Sequence, residues 1–168
     1  APALPHPFTG AQRELQRRIV ALGLAAGRGG EALSIARGLG MTCYRTAEEF
    51  GTRFRGGIET CDPADASEAG AYLRDRGDCF TSVMSPGRFL SLSASVDRHR
   101  VNPRDIAVPV TVIGAEEDRL VPLEQLEDLA AALPRAEFHA ITSLYGHDAF
   151  LKETPTIAAL VAPLVASL

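Results

Sequence analysis

Hydrophobic residues change their spacing several times in the last third of the chain, and these changes predict its clearest elements. β-Branched and apolar residues run from Val108 to Ile113 and stop at Gly114, as in a buried strand. An acidic loop at residues 116–118 follows. After Pro122, leucines recur at positions 123, 126, 129 and 133. This spacing predicts a helix with one apolar stripe and a proline in its first turn.

A second strand is predicted after this helix. Pro134 ends the helix, residues 137–141 are typical of a strand, and a polar loop then carries His147. The carboxyl ends of neighbouring parallel strands meet at one edge of a sheet, where ligands bind. We therefore expect Asp118, in the first loop, and His147, in the second, to form an acid–base pair. Since two strands alone do not form a stable sheet, we expect the remaining strands to come from elsewhere.

The first hundred residues show helical periodicity and no convincing strand. Capping boxes are predicted at Thr9 with Gln12 and at Thr46 with Glu49, and Ser85 precedes a proline as a helix cap would. The expected core positions are Leu15, Ile19 and Leu22 in the first helix and Phe89, Leu92 and Val96 in the helix after Ser85. The last helix, from Thr154, is expected to bury Ile157, Leu160, Leu164 and Leu168.

Composition excludes several classes of partner. The formal net charge of −4 gives no reason to expect binding to nucleic acid or to an anionic membrane. No apolar run approaches the roughly 20 residues of a membrane helix, and the first residues do not resemble a signal peptide. Three cysteines, Cys43, Cys61 and Cys79, lack a metal-binding spacing, which favours reduced thiols in a cytoplasm and no metal site.

Two further features limit the interpretation. No Gly-x-Ser-x-Gly sequence occurs in the chain, so the nucleophile that an acid–base pair would serve is missing from it. The sequence also begins with alanine, and we expect this end to be internal to something longer.

Arg13, Arg17 and Arg18 lie mostly off the predicted stripe of the first helix, which indicates a solvated face rather than an anion site.

Four segments carry a resemblance to a known family. They are LQRR (residues 15–18), LSIARGLGMTCYRTAEEFGTRF (33–54), DRLVPL (118–123) and GHDAFLKE (146–153). Together they resemble the C-terminal half of the homoserine O-acyltransferases of the α/β-hydrolase superfamily, most closely the proteobacterial O-succinyltransferases. The resemblance implies an α/β fold class: the C-terminal part of an α/β-hydrolase fold, with its last two parallel strands and helices and an inserted helical lid.

The same resemblance implies an organisation of the chain. Residues 1–8 would be an exit loop from an N-terminal half, residues 9–105 a helical lid region, and residues 106–168 the C-terminal part of the hydrolase core. That N-terminal half would be the partner that carries the nucleophilic serine. A homodimer through the lid helices is also implied. Neither a nucleic acid nor a membrane is expected as a partner.

The activity implied is transfer of a succinyl or acetyl group from acyl-CoA, through a serine acyl-enzyme, to the hydroxyl of L-homoserine in methionine biosynthesis. Acyl-CoA would be a co-substrate, with no further cofactor. Asp118 would stabilise the imidazolium of His147, the general base. Asp148 would bind the substrate ammonium and Arg37 its carboxylate, since a guanidinium suits a carboxylate. Tyr44, two helical turns after Arg37, would face the same pocket.

Alternatives stay open from the sequence. The same acid and base would serve a serine O-acyltransferase or an esterase, which differ in what meets the acyl-enzyme. A non-catalytic binding module is a third possibility. Asp148 could instead cap the helix after His147, and Arg37 could be a surface residue paired with Glu31 or Glu48. The sequence does not distinguish a succinyl donor from an acetyl donor.

Overall fold

The computed structural model describes residues 2–57 and 67–166, which form eight α-helices, two 3-10 turns and two strands. The helices are α1 Pro7–Ala25, α2 Gly29–Tyr44, α3 Ala47–Arg53, α4 Glu68–Thr81, α5 Pro86–Val96, α6 Leu123–Ala132, α7 Ala149–Lys152 and α8 Thr154–Ala166. The strands are β1 Val110–Ala115 and β2 Ala136–Ile141, and the 3-10 turns are Pro103–Asp105 and Gly146–Asp148. Within these ranges, no helix is long and apolar enough to span a membrane.

Both predicted strands are confirmed, and they pair in parallel. Val110 lies opposite Ala136 and Ala115 opposite Ile141, so the two strands end together at one edge. Helix α6 connects them and covers one face, where Val112, Leu126 and Leu133 form a buried cluster. A β-carbon at Gly114 would lie 2.7 Å from Leu123, so a glycine here lets α6 pack directly on β1. The helix predicted from the leucine stripe is thus the one that packs on this face of the sheet.

A second core lies among helices α1, α2, α4 and α5. Val20 of α1 and Leu33 and Ala36 of α2 are completely buried, and partly buried side chains of α4 and α5 pack around them. Helix α2 contacts both α1 and α4, which makes it the central helix of this part. Helix α2 ends at Tyr44, so packing in this core also fixes the position of Tyr44.

The start of α1 differs from the sequence expectation. The helix begins at Pro7, inside the stretch expected to be an exit loop, and His6 is its N-cap, accepting a hydrogen bond from the Phe8 amide. The capping box at Thr9 is therefore wrong. Thr9 is buried, and its hydroxyl donates to the carbonyl of Leu120 over 2.7 Å. A residue expected to begin the helix instead joins α1 to the loop that carries Asp118.

The predicted apolar stripe of α1 holds only at Ile19, which packs against the helical core. Leu15 and Leu22 are 51% and 71% exposed. The inward face carries a completely buried valine together with polar side chains: the amide of Gln16 donates to the Ala36 carbonyl, and two arginines contact α5. Periodicity alone selects the leucines, but these specific hydrogen bonds turn the helix so that the polar side chains face its neighbours.

Those two arginines are Arg13 and Arg17, and their assignment to a solvated face is wrong. Their guanidinium groups reach the two oxygens of Asp97 at 2.6 and 2.5 Å. Burial opposes the ionisation of Asp97, but the hydrogen bonds from both arginines outweigh it and hold the pKa of this carboxyl below its usual range. The cluster joins α1 to the end of α5. Arg18, by contrast, is exposed as expected.

Other core predictions hold in part. Ser85 caps α5 and Thr46 caps α3, as predicted, and Phe89 packs against the helical core. Leu92 and Val96 are about half exposed, because α5 turns Ser93 inward to meet Arg17. In α8, Ile157, Leu160 and Leu164 are only partly buried. Leu168 and Cys61 lie outside the described residues; Cys43 and Cys79 are free thiols.

Candidate active site

Asp118 is held in place by the loop that follows β1. Its Oδ1 accepts hydrogen bonds from the amides of Leu120 and Val121 at 2.8 and 3.0 Å, and its Oδ2 lies 2.8 Å from Nδ1 of His147. The side chain is 10% exposed. Both carboxylate oxygens therefore have fixed partners, and the group cannot rotate without losing three hydrogen bonds.

His147 lies in the 3-10 turn after β2, and the structure brings it to Asp118 as the sequence predicts. The carboxylate accepts, so Nδ1 carries the proton and Nε2 is the free, basic nitrogen. The hydrogen bond from Asp118 raises the pKa of His147 above its ordinary value; burial opposes this, and the charges of Asp118 and Asp148 add to it. The side chain is 33% exposed, so the ring remains reachable.

The loop before His147 is fixed by a chain of hydrogen bonds. Glu117 accepts from the amide of Ser143 at 2.8 Å, and the Ser143 hydroxyl donates to Glu153 at 2.8 Å. Gly146 has φ +55°, and a β-carbon there would lie 3.2 Å from the carbonyl oxygen of Glu117 and 3.3 Å from that of Tyr44. The loop thus needs glycine for both its conformation and its close packing.

Two aromatic rings flank the imidazole. The Tyr44 ring centroid lies 5.7 Å from that of His147, and the Phe150 ring meets it edge-on at 6.3 Å. Tyr44 is half-buried at the end of α2, whereas Phe150 is 60% exposed. His147 and both rings belong to the lining of the open cleft beside the sheet.

Arg37 reaches the site through Tyr44. Its guanidinium lies 5.3 Å from the Tyr44 ring centroid and 4.9 Å from that of Phe80, in the range of cation–π contacts. It makes no ion pair with any described carboxylate: Glu31 pairs with Arg28 instead. Its charge therefore has no ion-pair partner within the described part of the chain.

Asp148 is not left free beside His147. Its Oδ2 accepts from Nε of Arg45 at 2.6 Å, and no side-chain cap of the following helix involves it. The lining of the cleft beside the sheet includes Tyr44, Asp118, His147 and Phe150 but neither Arg37 nor Asp148. The structure therefore places the acid, the base and Tyr44 together at the cleft; Arg37 contacts the Tyr44 ring, and Asp148 directly follows His147.

Sequence patterns do not single out several residues that shape this site. They are Arg45, Gly146, Phe80 and Phe150. The sequence predicts Thr46 only as a helix cap, yet its hydroxyl also donates to the Leu144 carbonyl at 2.6 Å. A glycine directly before the histidine is the one usable signal, since a tight turn favours it. No group of three metal-binding side chains occurs among the described residues.

Comparison with known proteins identifies relatives of this chain. It is 41% identical over 157 residues to a homoserine O-succinyltransferase of Xanthomonas campestris pv. campestris. This alignment covers 93% of the present chain and 42% of the relative. It is 30% identical over 139 residues to a homoserine O-acetyltransferase of Trichormus variabilis, covering 78% and 38%. The chain thus spans less than half the length of these relatives. No family model matches it.

Solved structures agree with the sequence relatives. A homoserine O-acetyltransferase from Staphylococcus aureus superposes with a TM-score of 0.76 at 25% identity, over 98% of this chain and 49% of that one. Esterase E22 superposes with a TM-score of 0.83 at 16% identity, over 95% and 51%, which supports the fold alone. The fold is that of a portion of an α/β-hydrolase, and the chain belongs to the homoserine O-acyltransferase family.

Proposed function

We propose that this chain supplies the acid and base of a homoserine O-acyltransferase, which moves an acyl group from acyl-CoA to the hydroxyl of L-homoserine. The observation that supports this most directly is the 2.8 Å hydrogen bond between Oδ2 of Asp118 and Nδ1 of His147, a residue that lines the cleft. Family membership favours homoserine as the acceptor. The reaction belongs to methionine biosynthesis, in the cytoplasm.

The first half-reaction acylates a serine that lies outside these 168 residues. Nε2 of His147 takes the proton of the serine hydroxyl, and the serine oxygen attacks the thioester carbonyl. The carbon–sulfur bond then breaks, and the leaving CoA sulfur takes that proton from the imidazolium. Asp118 stabilises the imidazolium by its hydrogen bond to Nδ1. A raised pKa of His147 suits a group that must hold the proton between the two steps.

The second half-reaction uses the same base. Nε2 removes the proton from the hydroxyl of homoserine, the hydroxyl oxygen attacks the acyl-serine, and the serine oxygen leaves with the proton returned by His147. In this proposal Arg37 attracts the acceptor carboxylate and Asp148 its ammonium, with Tyr44 forming the wall between Arg37 and His147. The unpaired guanidinium of Arg37 supports the first role. The second requires that Asp148 act while it is bound to Arg45.

The donor and the partners follow from the same reasoning. A succinyl donor is favoured because the relative with 41% identity is an O-succinyltransferase, although an acetyl donor would use the same acid and base. The serine-bearing segment is the required partner, and the open sheet and partly buried α8 offer apolar surface to it. A homodimer through the lid helices would cover Leu15 and Leu22; a monomeric mass of the assembled enzyme in solution would contradict it.

The proposal is tested by measuring O-acylhomoserine and free CoA in the assembled enzyme, meaning this chain with the serine-bearing segment. CoA release should continue over many turnovers only when homoserine is added. Arg37→Ala should raise the KM for homoserine about 10- to 150-fold, the equivalent of one charge-assisted hydrogen bond. Arg28→Ala, which removes an exposed arginine at the start of the same helix, is the control and should change it little.

Three results would contradict the proposal. Multiple-turnover CoA release at the same rate with and without homoserine would indicate that water hydrolyses the acyl-enzyme, as in an esterase. Serine used in preference to homoserine would indicate a serine O-acyltransferase. An assembled enzyme with neither activity would favour a binding module.

A further inference from the structure

Three consecutive residues at the junction of α2 and α3 contact the loop of the catalytic histidine. Tyr44 places its ring against that of His147. Arg45 donates to Asp148 at 2.6 Å, and Thr46 donates to the Leu144 carbonyl at 2.6 Å. The lid helices therefore hold the histidine loop on both sides of His147.

Arg45 is a deeply placed charge at this junction. It is 10% exposed, and its guanidinium serves two carboxylates: Nε reaches Asp148 at 2.6 Å, and Nη1 reaches Glu49 at 3.3 Å. Asp148 and Glu49 are themselves 15% and 8% exposed. Removing one member of a buried ion cluster is costly, because the partners keep their charge without compensation. The cluster is thus a fixed part of the structure rather than a surface pair.

The cluster leaves part of Asp148 available. Only Oδ2 is bound by Arg45, and Oδ1 accepts no hydrogen bond from any described residue. Arg45 divides its charge between two carboxylates, and the additional cation near this cluster, Arg53, approaches Glu49 at 3.7 Å from the solvent side. Asp148 therefore keeps negative potential on one oxygen in a fixed orientation, directly after His147.

We infer that Arg45, supported by Glu49, is a positioning residue that orients Asp148 so that its second oxygen can receive the ammonium of the amino-acid acceptor. The inference rests on the proposed function, since it needs an acceptor with an ammonium group. Lysine cannot replace Arg45, because a single ammonium lacks the planar fork that reaches two carboxylates at once. The role is specific to the acceptor: an acceptor without an amino group makes no use of Asp148.

The test compares Arg45→Lys with wild type in the assembled enzyme, using homoserine and 4-hydroxybutanoate, which lacks the amino group. With homoserine, kcat/KM should fall about 10- to 150-fold, the loss of one charge-assisted hydrogen bond. With 4-hydroxybutanoate it should change by less than about threefold, and so should the burst of CoA release from serine acylation. In an Asp148→Asn background, Arg45→Lys should add little further loss, because both changes act through the same contact.

Arg17→Lys is the matched control, since Arg17 also holds a partly buried carboxylate, Asp97, but contacts α5 rather than the histidine loop. It should leave the ratio of the two acceptors unchanged. Equal losses of Arg45→Lys for both acceptors, or none for either, would overturn the positioning role. A wild-type enzyme that never acylates homoserine would instead overturn the proposed function, and the two failures are distinguishable. If Arg45→Lys does not fold, Glu49→Gln tests the same cluster and should also lower homoserine turnover selectively.

Discussion

The ionisation of His147 decides when the site can act. Its pKa is raised, first by the hydrogen bond with Asp118 and then by the charges of Asp118 and Asp148, while burial opposes the shift. A protonated imidazole cannot accept a proton from serine. Because the raised pKa extends the protonated range upwards, activity should be lost as pH falls through a midpoint higher than the usual value of about 6.5 for histidine.

This pH dependence gives a prediction at the residue scale. In the assembled enzyme, the acid limb of kcat/KM for acyl-CoA should have its midpoint above about 6.5, and Asp148→Asn should lower that midpoint by removing a nearby negative charge. Asp118→Asn should in addition cost about 10³-fold or more in the rate of acylation, because Nδ1 loses its acceptor. An acid limb that is the same in the Asp148→Asn enzyme and in wild type would contradict the electrostatic role of Asp148.

At the scale of elements, the loop from Ser143 to Asp148 depends on Gly146. Gly146→Ala would place a β-carbon 3.2 Å from one backbone oxygen and 3.3 Å from another, in a positive-φ conformation. We expect a loss of about 1–3 kcal/mol in the free energy of unfolding and a longer Asp118–His147 distance. The measurement is denaturant unfolding of the assembled enzyme together with its acylation rate.

Gly51→Ala is the control for that change. Gly51 lies in helix α3, and a β-carbon there would meet nothing within 4 Å. It should stabilise the enzyme by up to about 1 kcal/mol, since alanine is the better helix former. If Gly146→Ala were as well tolerated as Gly51→Ala, the histidine loop would not depend on its glycine.

The elements also show how far the sequence could be read. β1, α6 and β2 follow from strong local patterns, and the loops that carry Asp118 and His147 follow from them, so the acid–base pair was predictable. The orientation of helix α1 was not, because it depends on Gln16, Arg13 and Arg17 reaching partners 20 to 84 residues away. Arg45 illustrates the same limit in the site: its partner Asp148 is 103 residues away, and no periodicity encodes that contact.

At the scale of the whole molecule, two features favour the packing of a further segment against this chain. The sheet has two strands in the described residues, and α8 exposes apolar side chains such as Val165, which is 64% exposed. Each large apolar side chain that becomes buried contributes about 1.5–3 kcal/mol. We therefore expect the 168-residue chain to fold poorly alone and to gain stability when the serine-bearing segment completes the sheet.

The central claim is that Asp118 and His147 act on a serine supplied from outside these 168 residues. The most direct measurement is the burst of CoA release when succinyl-CoA is mixed with three samples: the chain alone, the chain with the serine-bearing segment, and that assembly with His147→Ala. A burst of about one CoA per active site is expected in the second sample only, with loss of about 10³-fold or more in rate in the third. A burst from the chain alone, or one of normal rate in the His147→Ala assembly, would contradict the claim.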